Sequence, residues 1–144
     1  MAIYFYRANE SYGYLSNFSS HSVVIDDQLW ATTEHYFQAQ KFNDIEYKKQ
    51  IQRALTPGES KKLGSTRRYK IRDDWENVKE DIMYKALHAK FTQHQNLKQK
   101  LLQTGDKELI EHTVNDKYWA DGGNGNGKNR LGILLMRLRE ELKG

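Results

Sequence analysis

Thr32-Thr33-Glu34-His35-Tyr36-Phe37-Gln38-Ala39-Gln40-Lys41-Phe42 is the stretch on which the reading of this chain turns. Neither glycine nor proline interrupts it, and Thr32 or Thr33 is suited to cap the first free amides of a helix. A helical period puts Glu34, Gln38 and Lys41 at i, i+4 and i+7, on one stripe. An acid, an amide and an amine then share a face flanked by Tyr36, Phe37 and Phe42. Two interpretations stand at this level. One is a capped amphipathic helix, with Glu34 near its positive end and Lys41 towards its negative end. The other is a helix that carries a site.

Before this stretch, Ile3 to Tyr6 has the form of a short strand. His21 to Ile25 and Leu29 to Ala31 predict two more, around an Asp26-Asp27-Gln28 turn. The loop from Glu10 to Phe18 holds three aromatics, which suits either a plug over one end of the core or the wall of a pocket. After the stretch, Asp44 predicts a helix cap and a helix to about Leu55. Thr56-Pro57-Gly58-Glu59 has the form of a new N-terminus, with proline at the first helical position and Glu59 completing a capping box. That helix ends near Gly64. The basic segment Lys61, Lys62, Arg67, Arg68, Lys70 and Arg72 suits a solvated face, or contact with phosphate or nucleic acid.

Asp73 and Glu76 predict a further capping box, opening a helix that buries Val78, Ile82, Ala86 and Ala89, with Met83 and Leu87 beside them. Asn96 to Thr104 forms another helix stopped by Gly105. Lys107 to His112 suits a short strand, and Asn115 to Asn129 an irregular loop. Leu131, Leu134, Leu135, Leu138 and Leu142 then describe an amphipathic C-terminal helix with a core face. These elements predict an α+β fold: a single helix-rich domain, residues 1–144, with a small N-terminal antiparallel sheet.

A chain of 144 residues can bury a core without metal or disulfide staples, and with no cysteine it has neither a disulfide scaffold nor a thiolate zinc site. The start Met-Ala-Ile-Tyr-Phe-Tyr-Arg lacks the pattern of a signal peptide, and no apolar run reaches the roughly 20 residues of a membrane helix. A cytoplasmic protein with no membrane partner is the expectation. The net charge of +4 comes from 23 basic against 19 acidic residues, which suits a phosphorylated small molecule as well as nucleic acid. The five histidines show no His-Glu-x-x-His motif, so no metal site is expected. No Gly-x-Ser-x-Gly elbow is present either.

Gly122-Gly123-Asn124-Gly125-Asn126-Gly127-Lys128-Asn129 matches the spacing of a P-loop up to its last position, where asparagine replaces the hydroxyl that would hold magnesium. The preceding Asp116-Lys117-Tyr118-Trp119-Ala120-Asp121 is not a buried apolar strand, which argues against a nucleoside triphosphatase. Two alternatives remain: a phosphate cradle of glycine amides leading into a helix N-terminus, or a flexible turn before that helix.

Together these pieces resemble the NADAR superfamily, which includes riboflavin-intermediate N-glycosidases. The matching strings are Tyr14-Leu15-Ser16-Asn17-Phe18, Thr33 to Phe42, Arg72-Asp73-Asp74-Trp75, Asp116-Lys117-Tyr118-Trp119 and Gly127-Lys128-Asn129-Arg130-Leu131-Gly132. They occur in the family's order across nearly the whole chain, and the Glu-His-Tyr-Phe-Gln-Ala-Gln-Lys-Phe string is the specific one. Ala120 departs from the glycine that commonly follows the tryptophan.

The resemblance implies cleavage of an N-glycosidic bond without metal or organic cofactor. The implied substrates are phosphoribosylated aminopyrimidine intermediates of riboflavin biosynthesis, with ADP-ribosylated guanine in nucleic acid or non-catalytic binding of an ADP-ribose-like ligand as alternatives. It raises Glu34, Lys41 and Asp116 to catalytic candidates. Asn17, Phe18, Gln38, Trp75, Trp119, Gly127, Lys128, Asn129 and Arg130 become substrate-binding candidates. Asp116 equally suits a turn-former, and Trp75 and Trp119 suit core aromatics.

Overall fold

The computed structural model describes residues 1–144. The elements in chain order begin with β1 (Ala2–Phe5), β2 (Val23–Ile25), β3 (Gln28–Trp30), α1 (Thr33–Ala39), α2 (Ile45–Gln52) and α3 (Pro57–Gly64). They continue with α4 (Trp75–Gln93), α5 (Gln95–Gln103), β4 (Glu108–Glu111) and α6 (Arg130–Lys143). The fold is α+β, with six helices and a small antiparallel β2–β3 sheet. By contacts the chain forms two compact units, one of residues 20–90 and one of residues 1–19 with 91–144.

In the unit of residues 20–90, β2 and β3 pair through a two-residue turn in which Asp26 and Asp27 both take left-handed φ, 52° and 66°. Such a turn matches the natural twist of a hairpin. Val23, Ile25 and Trp30 from this hairpin join Tyr36, Ala39, Phe42, Tyr47, Ile51, Ala86 and Ala89 in one apolar cluster. The caps form at the expected threonines and aspartate. Thr32 accepts from the His35 amide, Asp44 from the Tyr47 amide and Thr56 from the Glu59 amide. Glu59 reaches back to the Leu55 amide, one residue before its cap.

Four expectations need correction here. The α1 helix stops at Ala39, so Lys41 lies beyond it instead of on a third turn. All seven residues of α1 are buried, which removes the interpretation of a surface amphipathic helix; α2 and α3 pack against it. The α2 helix ends at Gln52 and not near Leu55. Asp73 and Glu76 do not serve as a reciprocal box, because their carboxylates pair with Lys70 at 3.0 Å and Lys79 at 2.7 Å.

In the other unit, β1 and β4 pair in parallel, Ala2 opposite Glu108 through Phe5 opposite Glu111. The sequence suggested both strands but not this pairing. The α6 helix packs on β4 and α5, burying Leu131, Leu134, Leu135 and Leu138 as its spacing predicts. Gly105 ends the α5 segment with φ of 66°. The aromatic loop is partly a plug, with Tyr14 and Leu15 buried and the Tyr14 hydroxyl donating to the Lys100 carbonyl at 3.2 Å, and partly a wall, with Ser11 and Tyr12 lining a cavity. No helix is long and apolar enough to cross a membrane.

Candidate active site

Glu34 sits in the first turn of α1 and is 7% exposed. A carboxylate taken out of water at this depth needs a hydrogen-bonding partner. Gln38, one turn along, donates from Nε2 to Glu34 Oε2 at 2.7 Å. A carboxylate can only accept, so this contact fixes which way the amide points. The other end of that amide, Gln38 Oε1, is buried without a partner. It lies against Gly64, the last residue of α3, where any Cβ would overlap it. Glycine is required here for close approach and not for backbone conformation, since its φ is not left-handed.

Lys41 returns to the same place by a different route. Its Nζ donates to the Gly64 carbonyl at 3.4 Å. Burial lowers its pKa below the usual lysine range, Glu34 acts against that shift and Lys61 adds to it. Glu34, Gln38 and Lys41 are therefore brought together as the spacing suggested, with Gly64 as a fourth member that the spacing did not reveal. Trp75, 7% exposed, meets the group through Phe37, its ring centre 5.1 Å away. His35, in the midst of the diagnostic string, is structural: its ring nitrogens bond Thr32 Oγ1 at 2.8 Å and the Ala54 carbonyl at 2.9 Å.

The remaining candidates lie in the other unit. Asp116 Oδ1 accepts from the Tyr118 and Trp119 amides at 2.8 and 2.9 Å, so Asp116 does form a turn and thereby places Trp119 beside it. Asp116 and Trp119 are both half-buried. Tyr118 meets the Trp119 ring edge-on at 4.9 Å, and Lys128 Nζ stands 5.5 Å over the Tyr118 ring. In the aromatic loop, Asn17 is buried, Phe18 is half-buried, and the Phe18 amide donates to Ser16 Oγ at 3.1 Å.

The glycine loop differs from the open cradle. Its amides donate inward: Gly127 to the Asp121 carbonyl, Lys128 to Lys117, Asn129 to Ala120, Arg130 to Tyr118 and Leu131 to Trp119. A Cβ at Gly127 would come within 2.8 Å of Asp121 Cα, so the glycine serves loop closure. Asp121 is the hub, accepting from the Gly123 amide, the Thr113 amide and His112. Burial pushes its carboxyl up, but these hydrogen bonds outweigh that and hold it below the usual range. The Arg130 and Leu131 amides that open α6 are thus spent on the 118–119 segment, and the cationic side chains in this stretch are those of Lys128 and Arg130. Asn129 is also spoken for. Its Oδ1 accepts from the Glu111 amide at 3.0 Å and its Nδ2 donates to the Leu109 carbonyl at 2.9 Å, tying α6 to β4.

Residues 4–143 match the NADAR domain family. The chain is similar to the N-glycosidase YbiA of Escherichia coli, 51% identical over 97% of this chain and 88% of that protein. The NMR structure of the E. coli protein YbiA superimposes with a TM-score of 0.92 at 50% identity, covering 99% of this chain and 84% of that one. The N-glycosidase Npun_R5314 of Nostoc punctiforme is 44% identical over 99% of this chain and 94% of its own length. The riboflavin biosynthesis protein VVA0006 of Vibrio vulnificus is 40% identical over 98% of this chain, which corresponds to 38% of that longer protein.

Proposed function

The chain belongs to the NADAR domain family and is an N-glycosidase, and from that premise we propose that it hydrolyses phosphoribosylated aminopyrimidine intermediates of riboflavin biosynthesis to ribose 5-phosphate and the free base. The name of the Vibrio relative supports this substrate class. Such substrates are intracellular, which argues for a cytoplasmic enzyme.

Departure of the base builds positive charge on the anomeric carbon and negative charge on the leaving nitrogen. The observation that carries the proposal is the buried Glu34 carboxylate, fixed by Gln38 at 2.7 Å and close enough to Lys41 to influence its pKa. Low solvent exposure strengthens the attraction between that carboxylate and the developing cation, and the same group can take a proton from the attacking water. Asp116 uses one oxygen for its turn and keeps the other for the leaving base or a ribose hydroxyl. Trp75, in the same unit as Glu34, stacks on the base, a contact worth about 1–3 kcal/mol by analogy with base–aromatic stacking on nucleic acid. Asn17 and Phe18 contact the sugar or base, and Lys128 and Arg130 neutralise the phosphate. No metal or organic cofactor enters this scheme.

The test is release of base and ribose 5-phosphate by wild type and Glu34→Gln side by side. Glutamine keeps an acceptor for Gln38 but loses the charge, so turnover should vanish while ligand binding persists. Turnover at the wild-type rate by Glu34→Gln would remove Glu34 from the chemistry. For Lys41, borohydride separates covalent from electrostatic action. A trapped adduct on Lys41 shows attack on the sugar, and full activity without trapping shows a cation that holds Glu34 or phosphate.

A second substrate, ADP-ribosylated guanine in nucleic acid, is favoured by the exposed Lys62 in the last turn of α3 and Arg67 and Arg68 between α3 and α4. Polynucleotide turnover would then fall steeply with salt, whereas small-molecule turnover would change little.

A further inference from the structure

Outside every residue assigned above, the unit of residues 1–19 and 91–144 holds an open cavity of about 330 Å³ lined by Tyr12, Tyr14, Lys100, Gln103, Thr104 and Lys107, among others. Its floor is built by α5 and the turn after it, and one wall by the aromatic loop, pinned through the Tyr14 hydroxyl on the Lys100 carbonyl. Lys100 Nζ lies 5.4 Å over the Tyr14 ring, and neither Lys100 nor Lys107 meets a carboxylate.

A third cation stands directly behind the floor. Arg139 of α6 is 4% exposed, and its Nη1 donates to Thr104 Oγ1 at 2.9 Å and to the Lys107 carbonyl at 2.8 Å. Both partners are neutral, its Nε has no partner, and no acid compensates the guanidinium. Buried charges in proteins are ordinarily paired. Here an uncompensated guanidinium and two ammonium groups that meet no carboxylate surround one cavity, and the one acid of the Thr104–Lys107 turn, Asp106, is engaged by Lys143 at 3.2 Å, so the local balance is positive. The Tyr14 and Thr104 hydroxyls already donate to the Lys100 and Leu101 carbonyls, so the lining's further donors for an oxyanion are Ser11 and the Gln103 amide, and Tyr12, 39% exposed, supplies a ring face. The volume lies at the lower end of ligand pockets and suits one nucleotide rather than a dinucleotide.

We propose that this cavity is a second ligand site, which binds a mononucleotide-like aromatic phosphate with its phosphate between Lys100 and Lys107 and its ring against Tyr12. Because no lining residue is a candidate for the N-glycosidase chemistry, binding and turnover can be read separately.

The experiment is an NMR titration of isotope-labelled protein with AMP, adenosine and inorganic phosphate, following the amides of Tyr12, Tyr14, Thr104 and Lys107. AMP should saturate these signals, phosphate should bind more weakly, and adenosine should leave them unmoved. The Lys100→Gln/Lys107→Gln protein should bind AMP at least about tenfold more weakly, since two charge-assisted contacts are lost, with N-glycosidase turnover unchanged. Tyr12→Ala should weaken AMP but not phosphate. Absence of shifts up to about 10 mM AMP, or shifts that survive the double substitution, would overturn the site. Phosphate binding as tightly as AMP would overturn the role of Tyr12. A single-stranded oligonucleotide that displaces AMP and binds more tightly would overturn the assignment to a small ligand.

Discussion

Gly64→Ala is the substitution that most directly tests how the Glu34 carboxylate is held. Alanine improves the helix propensity of this last α3 position and meets no left-handed backbone, so local effects should be neutral or favourable. The contact is another matter. A Cβ here would stand 2.9 Å from Gln38 Cδ and 3.1 Å from Gln38 Cβ, and would overlap Oε1 outright. Gln38 Cβ is anchored on α1, so the amide must rotate, and rotation takes Nε2 away from Glu34. A hydrogen bond to a charged group is worth about 1.5–3 kcal/mol, and if that loss is felt in the transition state, turnover falls about 10- to 150-fold.

Crowding also costs about 1–3 kcal/mol of stability, so kcat must be measured well below the melting transition, with melts recorded in parallel. A double-mutant cycle with Gln38→Ala separates the two effects. Once the amide is gone, the methyl group has room, and Gly64→Ala should add almost nothing to the loss already caused by Gln38→Ala. Wild-type turnover in Gly64→Ala, or an equal further loss in the Gln38→Ala background, would refute the proposed link from Gly64 to Glu34.

Further outcomes are expected elsewhere. Removing the like charge in Lys61→Gln should raise the depressed pKa of Lys41, moving the alkaline break in kcat to higher pH; an unmoved break would mean that Lys41 does not set that limb. Burial pushes Lys90 down to about 7, so from there up to the ordinary lysine value the unfolded chain binds a proton that the native state has released, and stability should rise with pH. Urea midpoints across that window should show the rise, and Lys90→Met should flatten it. Asn129→Ala should destabilise by about 2–4 kcal/mol in thermal melts, since it strips partners from two β4 backbone groups, while turnover per folded molecule stays near wild type.

Much of this fold is legible because its signals are local. Thr32, Asp44 and Thr56 cap as read, since a cap involves an amide only three residues on. The overextension of α1 has a non-local cause. No breaker follows Ala39, but Phe42 forms an antiparallel bridge with Ile71, and the Lys41 carbonyl accepts from the Arg72 amide at 2.8 Å. Tertiary pairing thus bends the chain where propensity would continue the helix. The parallel β1–β4 pairing joins opposite ends of the sequence and is invisible to periodicity for the same reason. In the glycine loop the composition allowed an anion cradle, but which amides stay free depends on carbonyls of the 116–121 segment that only folding brings near.

Two missed features were nevertheless written in the sequence. Ile82 and Ala86 set an apolar row at i+4 spacing whose next member is Lys90, and Leu131 and Leu135 set another whose next member is Arg139. A pattern search that counts only apolar residues stops one position short in both rows. The chain instead carries a cation into the interior at each, 1% exposed at Lys90 and 4% at Arg139. Helix geometry buries a position regardless of the residue placed there, so a charge that continues an apolar row is a prediction of buried charge. Buried charge is costly enough to require either a shifted pKa or a counter-ion. Lys90 takes the first course, whereas Arg139, a guanidinium that stays protonated, has only the neutral Thr104 hydroxyl and Lys107 carbonyl as partners and so still calls for the second.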